Sequence, residues 1–386
     1  MDYCRDTDYA REYIDLVALG ETSDMMNMET LENRFICDYG LDNITNKFFK
    51  DLVEKQSYSL GSGPLTQIGV AFYITPLINS LIRVGSDLEK ERLFEAFIKP
   101  ETKVPSTKRG EKGMEETIST QAVRNCVNAK ARQNRERDKA IDLLDIQILN
   151  NDLNKNKILI LNADDLDIPY TLTGLCAMGV SAGYKKPVML GRIGKDGYLR
   201  GSIRGRGESE LKDFRKFLLD SGLMEFVEGH GNAAGFGIKA SDVEKLTEYA
   251  NEKLANINFN EGFYEADFIV KGNSSYLSEL IEDLDAGKKF WGQSNDEPVI
   301  VVEDITLPPK GYSIIGKNSD TLRFEFNGIT YVKFKATELI EELSRTSGKL
   351  SITAAGKGNI NEWGGRRSPQ VLVEEIEIKE SNSYDF

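Results

Sequence analysis

Histidine is almost absent from this sequence. The 386 residues contain one, His230. A metal site built by the chain from clustered histidines is excluded, as is any mechanism that needs two imidazoles. Cysteine is scarce too. Cys4, Cys37, Cys126 and Cys176 stand far apart and form no C-x-x-C pair. That spacing argues against a zinc ribbon or a disulfide framework and for a reducing cytoplasm. An apolar leader is missing: MDYCRDTDYARE carries charge and no hydrophobic run, so no signal peptide is expected. Long apolar runs are missing as well. The longest uncharged stretch, between Lys55 and Arg83, contains Gly61, Gly63, Pro64, Gln67, Pro76 and Asn79. It reads as a buried loop and helix, not a membrane span.

What is present suits a globular chain of two or three domains, with 40% hydrophobic and 29% charged residues. The net charge of −13 speaks, by itself, against a general nucleic-acid binder. Its distribution says more. Lys103 to Lys139 is net +5, Lys185 to Lys216 net +6 and Arg345 to Arg367 net +4, while Asp242 to Asp304 is net −10. The three basic stretches either line one surface or are solvated faces.

The first hundred residues read as helical. Tyr13 to Leu19 form an apolar element ended by Gly20, and Leu31, Phe35 and Ile36 recur at helical spacing. The polar stretch ETKVPSTKRGEKG is a loop. A long helix follows, free of Pro and Gly from Asn125 to Leu153. Strand signals then alternate with helix signals: a strand at 157–162, a helix at 171–182, strands at 186–190 and 198–204, and a helix at 211–219. The glycine-rich loop GHGNAAGFG comes next, then a helix at 241–254 capped by Ser241 and Asp242. Past residue 262 short strands dominate. Asn327-Gly328 is a two-residue hairpin signal that sets Phe326 opposite Ile329 and Phe324 opposite Tyr331. A small barrel or sandwich is expected, with the OB-fold as one candidate.

Two clusters carry the chemistry. Gly229-His230-Gly231-Asn232-Ala233-Ala234-Gly235 places an imidazole among residues small enough for a ligand to approach the backbone. Gly201-Ser202-Ile203-Arg204-Gly205-Arg206-Gly207 offers guanidinium forks among small residues. Each is either a phosphate clamp or a tight structural turn.

Together these clusters resemble the domain that accompanies the DHH phosphoesterase domain, where a Gly-Ser-x-Arg strand precedes a Gly-Gly-His-x-x-Ala-Ala-Gly loop. Glu228 replaces the first of those glycines. The stretch from Asp15 to Met26, continuing to Arg34, is similar to the fourth DHH motif of RecJ-type single-strand exonucleases, with Asp24 in the place of a metal-binding aspartate. Pro76, Asn79 and Arg83 resemble that family's Pro-x-x-Asn-x-x-x-Arg segment. Gln133-Asn134-Arg135-Glu136-Arg137 resembles its connecting helix. Asn361-Glu362-Trp363-Gly364-Gly365-Arg366 resembles the end of RecJ-like OB domains, phage forms above all.

The resemblance implies a multidomain α/β chain: the helical C-terminal part of a DHH domain over 1–115, a connecting helix over 116–156, a DHH-associated α/β domain over 157–260, and an OB-like β-barrel over 261–386. It implies two-metal hydrolysis of single-stranded DNA from the 5′ end with Mn²⁺ or Mg²⁺. Three of the four metal-binding motifs, including Asp-His-His, match nothing here. The chain is therefore expected to be the C-terminal portion of such an enzyme, binding single strands but inactive without a polypeptide carrying those motifs. Phosphate or strand contacts fall to Ser202, Arg204, Arg206, Gly229, His230, Gly231, Asn232, Asn79, Arg83, Trp363 and Arg366, and His230 counts with Asp24 as catalytic. Asp24 is otherwise a helix N-cap, Asn79 and Arg83 ordinary helix packing, and Trp363 an edge anchor. Phe324, Phe326 and Tyr331 are read as barrel core rather than a stacking platform. Two alternatives stay open: a phosphodiesterase for short oligonucleotides or cyclic dinucleotides, and a non-catalytic scaffold.

Overall fold

The computed structural model describes residues 11–61, 63–111, 113–260, 265–346, 348–363 and 365–380. Cys4, Gly364, the side chain of Trp363 and the last six residues lie outside that description. The chain divides into two compact units, one made of Met1–Pro76 with Tyr264–Phe386, the other of Leu77–Phe263.

The first unit opens with α1 (Ile14–Ser23), which runs through Gly20 instead of ending there. Gly20 has ordinary helical backbone, so its missing side chain costs propensity but does not stop the helix. α2 (Leu31–Asp42) packs on α1, where a Cβ at Gly40 would sit 2.6 Å from the Ile14 carbonyl oxygen. The buried Asp15 carboxylate accepts the backbone N–H groups of Thr45 (2.8 Å) and Asn46 (2.7 Å). Asn46 in turn caps α3 (Lys47–Lys55), whose Phe48, Phe49 and Leu52 are buried. α4 (Gln67–Val84), whose residues from Leu77 onward belong to the second unit, is long and apolar enough to cross a membrane by length and composition. Here Val70, Ile74, Leu77 and Leu81 are buried, and Val70–Ile74 is wound as a π-turn.

In the second unit, α5 (Asp87–Ile98) starts with a Ser86–Glu89 capping box. A hairpin of β1 (Lys103–Pro105) and β2 (Glu115–Thr117) leads straight into the 33-residue α6 (Ile118–Asn150). Arg124 of α6 grips Glu116 through both guanidinium nitrogens at 2.5 and 2.6 Å, and Gln121 donates to the same carboxylate at 2.9 Å.

The sheet of this unit is built from β3 (Leu159–Asn162), then α7 (Thr173–Tyr184), β4 (Val188–Ile193), β5 (Tyr198–Arg204), α8 (Phe214–Asp220), β6 (Met224–His230), β7 (Ala233–Lys239) and α9 (Val243–Lys253). Its order is β3-β4-β5-β7-β6, with only β3 and β4 parallel. Leu199, Ile203, Phe236 and Ile238 bury one face beneath Phe214, Leu218, Leu246 and Ala250. On the opposite face α6 and α7 cover β3 and β4. The stretch expected as a glycine-rich loop is a hairpin, with His230 ending β6, Ala233 opening β7 and Gly231-Asn232 as the turn. Ser241 and Asp242 do not cap α9 with their side chains. A 3-10 turn over Ala240–Asp242 leads in, and Asp242 pairs with Lys245 at 2.7 Å.

The first unit resumes with β8 (Phe268–Lys271), α10 (Tyr276–Ala286), β9 (Val299–Leu307), β10 (Tyr312–Ile315), β11 (Thr321–Phe326), β12 (Ile329–Lys333), α11 (Thr337–Arg345), β13 (Leu350–Trp363) and β14 (Arg366–Glu380). The sheet order is β10-β11-β12-β14-β13-β9-β8. Asn327 and Gly328 both have positive φ (49° and 78°), and Phe326 faces Ile329 and Phe324 faces Tyr331, as the turn chemistry requires. Phe324 and Tyr331 are core, their rings stacked at 4.9 Å. The expected closed barrel is not found among the described residues: β10 and β8 end the sheet unpaired with each other. Leu277, Leu280, Ile281 and Leu284 of α10 bury one sheet face against Ile300, Val302 and Val371, so that face is covered without closing the sheet on itself.

Glu116 is held well below the usual carboxylate range, at about 2, by its hydrogen bonds from Arg124. Its contribution is therefore complete above the unfolded value of 4.5 and is lost as pH falls toward about 2. Glu116→Gln should lower stability near neutral pH by at most about 3 kcal/mol, with the difference from wild type vanishing near the acid limit. Urea unfolding followed by circular dichroism across that pH range checks it.

Candidate nucleic-acid interface

Strand alternation puts Arg200, Ser202 and Arg204 of β5 on the face opposite the Ile203 core. Register continues each position across the sheet: Arg204 to Ala233 to His230, and Ser202 to Gly235 to Glu228. Helices cover the β3–β4 side of this face. The β7–β6 side carries Ala233 and Gly235, side chains too small to rise from the sheet, beside exposed Glu228 and His230. The result is a shallow floor with Arg204 on one margin and His230 on the other, two strands or about 10 Å apart.

Arg204 sits in a cavity of about 360 Å³ with Arg83, Tyr170, Thr173, Gly174 and Ser202 on its walls. Gly174, in the first turn of α7, makes room for it: a Cβ there would lie 2.6 Å from a guanidinium nitrogen. Ser202 Oγ and Thr173 Oγ1 are 3.4 Å apart. Thr171 Oγ1 donates to the Arg83 carbonyl at 3.1 Å and ties the end of α4 to the approach to α7. Exposed Tyr170 stands at the rim.

The electrostatics are one-sided. Burial pushes Arg83, Arg204 and Lys130 down from their ordinary values. The positive charge of Arg83 pushes Arg204 and Lys130 further, and Arg137 also acts on Lys130. Arg137 pairs with Asp138 at 2.6 Å. Among the described residues no carboxylate pairs with Arg83, Lys130 or Arg204. Half-desolvated cations held together without counter-charge form a ready site for a phosphate.

The expected contact residues separate into three groups. Arg83, Ser202 and Arg204 meet in the cavity, and His230 stands across the floor. Arg206 turns away, paired with Glu208 at 3.0 Å and donating to the Ser181 carbonyl at 3.4 Å. Asn232 is spent on structure: its Nδ2 donates to the Lys212 carbonyl (2.8 Å), and its Oδ1 accepts the Phe214 N–H (3.3 Å). The Gly231 carbonyl accepts the Arg215 N–H at 2.7 Å. Gly229 adopts a φ of 132° within β6, close against Ala233 and Ala234. Asn79 lies one helical turn before Arg83 and is not on the cavity wall. Trp363 and Arg366 belong to the other unit, facing each other at the end of the β13–β14 hairpin. Lys130, Tyr170, Thr173 and Gly174 escaped sequence reading. Only the basic character of the 103–139 stretch hinted at Lys130.

Asp24 is exposed at the C-terminal end of α1, so it is no N-cap. Among the described residues no group of three or more His, Cys, Asp or Glu is gathered to hold a metal. The donors among the described residues do not fit a metal pair.

Residues 273–375 match the profile described as the RecJ OB domain. In sequence the chain is RecJ-like, similar to single-strand DNA-specific exonucleases over most of its length. A Bacillus subtilis (strain 168) protein that carries the name SPbeta prophage-derived single-strand DNA-specific exonuclease YorK is 37% identical over 376 residues, which cover 96% of this chain and 65% of that one. The single-stranded-DNA-specific exonuclease RecJ of the same organism is 26% identical over 391 residues, covering 97% and 45%. The crystal structure of RecJ in complex with Mn²⁺ from Thermus thermophilus superposes with a TM-score of 0.65 at 18% identity, covering 96% of this chain and 50% of that one. Its Mg²⁺ complex gives 0.63. The chain thus spans about two thirds of one curated relative and under half of the other.

If the cation cluster is an anion site, millimolar pyrophosphate should raise the melting temperature of the wild type by several degrees. Arg83→Met should leave the ligand-free chain at least as stable and abolish the pyrophosphate effect. Thermal melts with and without pyrophosphate decide this.

Proposed function

We propose that this chain is the strand-holding part of a RecJ-like nuclease. It binds single-stranded DNA by seating backbone phosphates on Arg83, Lys130 and Arg204 and a neighbouring phosphate or terminal nucleotide at His230. The observation that carries this reading is the uncompensated cation cluster opening onto a floor of Ala233 and Gly235. Arginine forks suit phosphate oxygens, and small residues let a backbone lie close. Tyr170 at the rim is placed to stack on a base.

Hydrolysis, on this reading, needs metal ligands beyond the described residues. Asp24 contributes at most one, with Mn²⁺ or Mg²⁺ as the expected ions. An exposed apolar stripe on α2 supports a partner that carries the rest. Leu31 and Phe35 are 79% and 62% exposed, and Phe35 stacks on Tyr39 at 5.7 Å. One helix face bearing that much uncovered ring surface suits a protein contact. The gathered-ligand deficit also favours a second reading, a binding subunit that never hydrolyses.

Fluorescence anisotropy with a labelled oligothymidylate should show binding that weakens steeply with salt. Arg83→Ala with Arg204→Ala should reduce the slope of log K against log salt by about 1.4. The purified chain should leave the strand intact with Mn²⁺ present. Unchanged affinity in the double variant sinks the phosphate assignment, and Mn²⁺-dependent degradation sinks the incomplete-site assignment.

A further inference from the structure

The first unit contains a cavity of its own, of about 230 Å³ and different chemistry. Met25, Met26, Met28, Ile68 and Phe72 form most of its apolar wall. Met28 is buried, whereas Met25, Met26 and Phe72 are exposed, so the cavity has a closed floor and an open mouth. Gln67 also lines it. This side chain is 3% exposed; neither its Oε1 nor its Nε2 makes a hydrogen bond of normal length, although the Asp38 carboxylate approaches the amide. Gly292 leaves the amide its place, because a Cβ there would collide with Oε1. The backbone around the cavity is unusual on both sides. The π-turn of α4 begins three residues after Gln67, and Met25 holds a left-handed φ of 57°. Such conformations persist where surrounding structure enforces them, and they concentrate at functional sites.

A buried amide without hydrogen bonds of normal length costs stability unless something completes it. An anion does not suit. Asp296 and Glu297 border the cavity, and its one lysine, Lys357, is shared between Glu297 (3.8 Å) and Glu374 (3.4 Å). A hydrocarbon would leave Gln67 unanswered. The walls fit a neutral, flat ring whose edge carries a donor and an acceptor side by side, gripped by thioethers and an aromatic ring. Glutamine reads such an edge through two hydrogen bonds.

We propose that this cavity is a nucleobase pocket, with Gln67 reading the base edge and Met25, Met26 and Phe72 enclosing the ring. Its biological ligand, a base of the bound strand, rests on the single-strand reading above. The test does not, because it uses deoxynucleosides, which carry no phosphate.

The whole chain, labelled with ¹³C-methyl methionine, is titrated with each of the four deoxynucleosides. At least one should shift the Met25, Met26 and Met28 methyl resonances saturably, with a dissociation constant near or below about 10 mM. Gln67→Leu should weaken that binding at least about tenfold while the other methionine resonances stay in place. Gly292→Ala, which drives a methyl into the amide, is a second variant should the first not fold, and it should weaken binding likewise. Absence of saturable shifts in the wild type overturns the pocket, as does undiminished binding in a folded variant. Nucleoside binding without single-strand binding upholds the pocket and overturns the strand reading. Strand binding without nucleoside binding does the reverse.

Discussion

Like charges held together, with no carboxylate paired to them among the described residues, set the character of the second unit. Arg83, Lys130 and Arg204 come from a helix end, a long helix and a strand. Each alone would turn toward water. Together they stay because rigid parts hold their stems: Thr171 locks the end of α4, the Glu116–Arg124 grip fixes the start of α6, and ladder bonds fix β5. Folding therefore works against this repulsion, and a bound anion would relieve it.

The two cavities have opposite chemistry. One, in the second unit, offers charge and hydroxyls. The other, in the first unit, offers sulfur, ring surface and a carboxamide. Phosphates and bases make the same pair of demands on a protein that holds a single strand: one to fix the backbone and one to take up an unstacked ring.

Much of this was legible in the residues. Period-two alternation located β5, and Asn327-Gly328 specified the β11–β12 hairpin down to the opposed pairs, because turn geometry fixes register. Arg204 and Ser202 stood out because arginine among small residues has few structural uses, and both line the same cavity. Elsewhere local signals misled. Glycines around His230 suggested a loop, yet in β7 they are what lets a strand lie bare. Asn232 looked available but is consumed by Lys212 and Phe214, a fact of tertiary contact. The β13–β14 hairpin, the backbone of its sheet, went unread because Ala354, Gly356 and Gly358 break the hydrophobic alternation. Metal ligation by Asp24 was suggested by resemblance alone, and its surroundings supply no companion ligands among the described residues.

The Gly231-Asn232 turn has one more consequence. Its main chain and side chain accept from Gly205, Phe214 and Arg215 and donate to Lys212, so the hairpin tip and the 205–215 loop are stitched into one piece. The amides of Gly205, Phe214 and Arg215 all depend on that one turn, so its opening would expose the three together. His230, which makes none of those bonds, is the residue that leads into this tied turn.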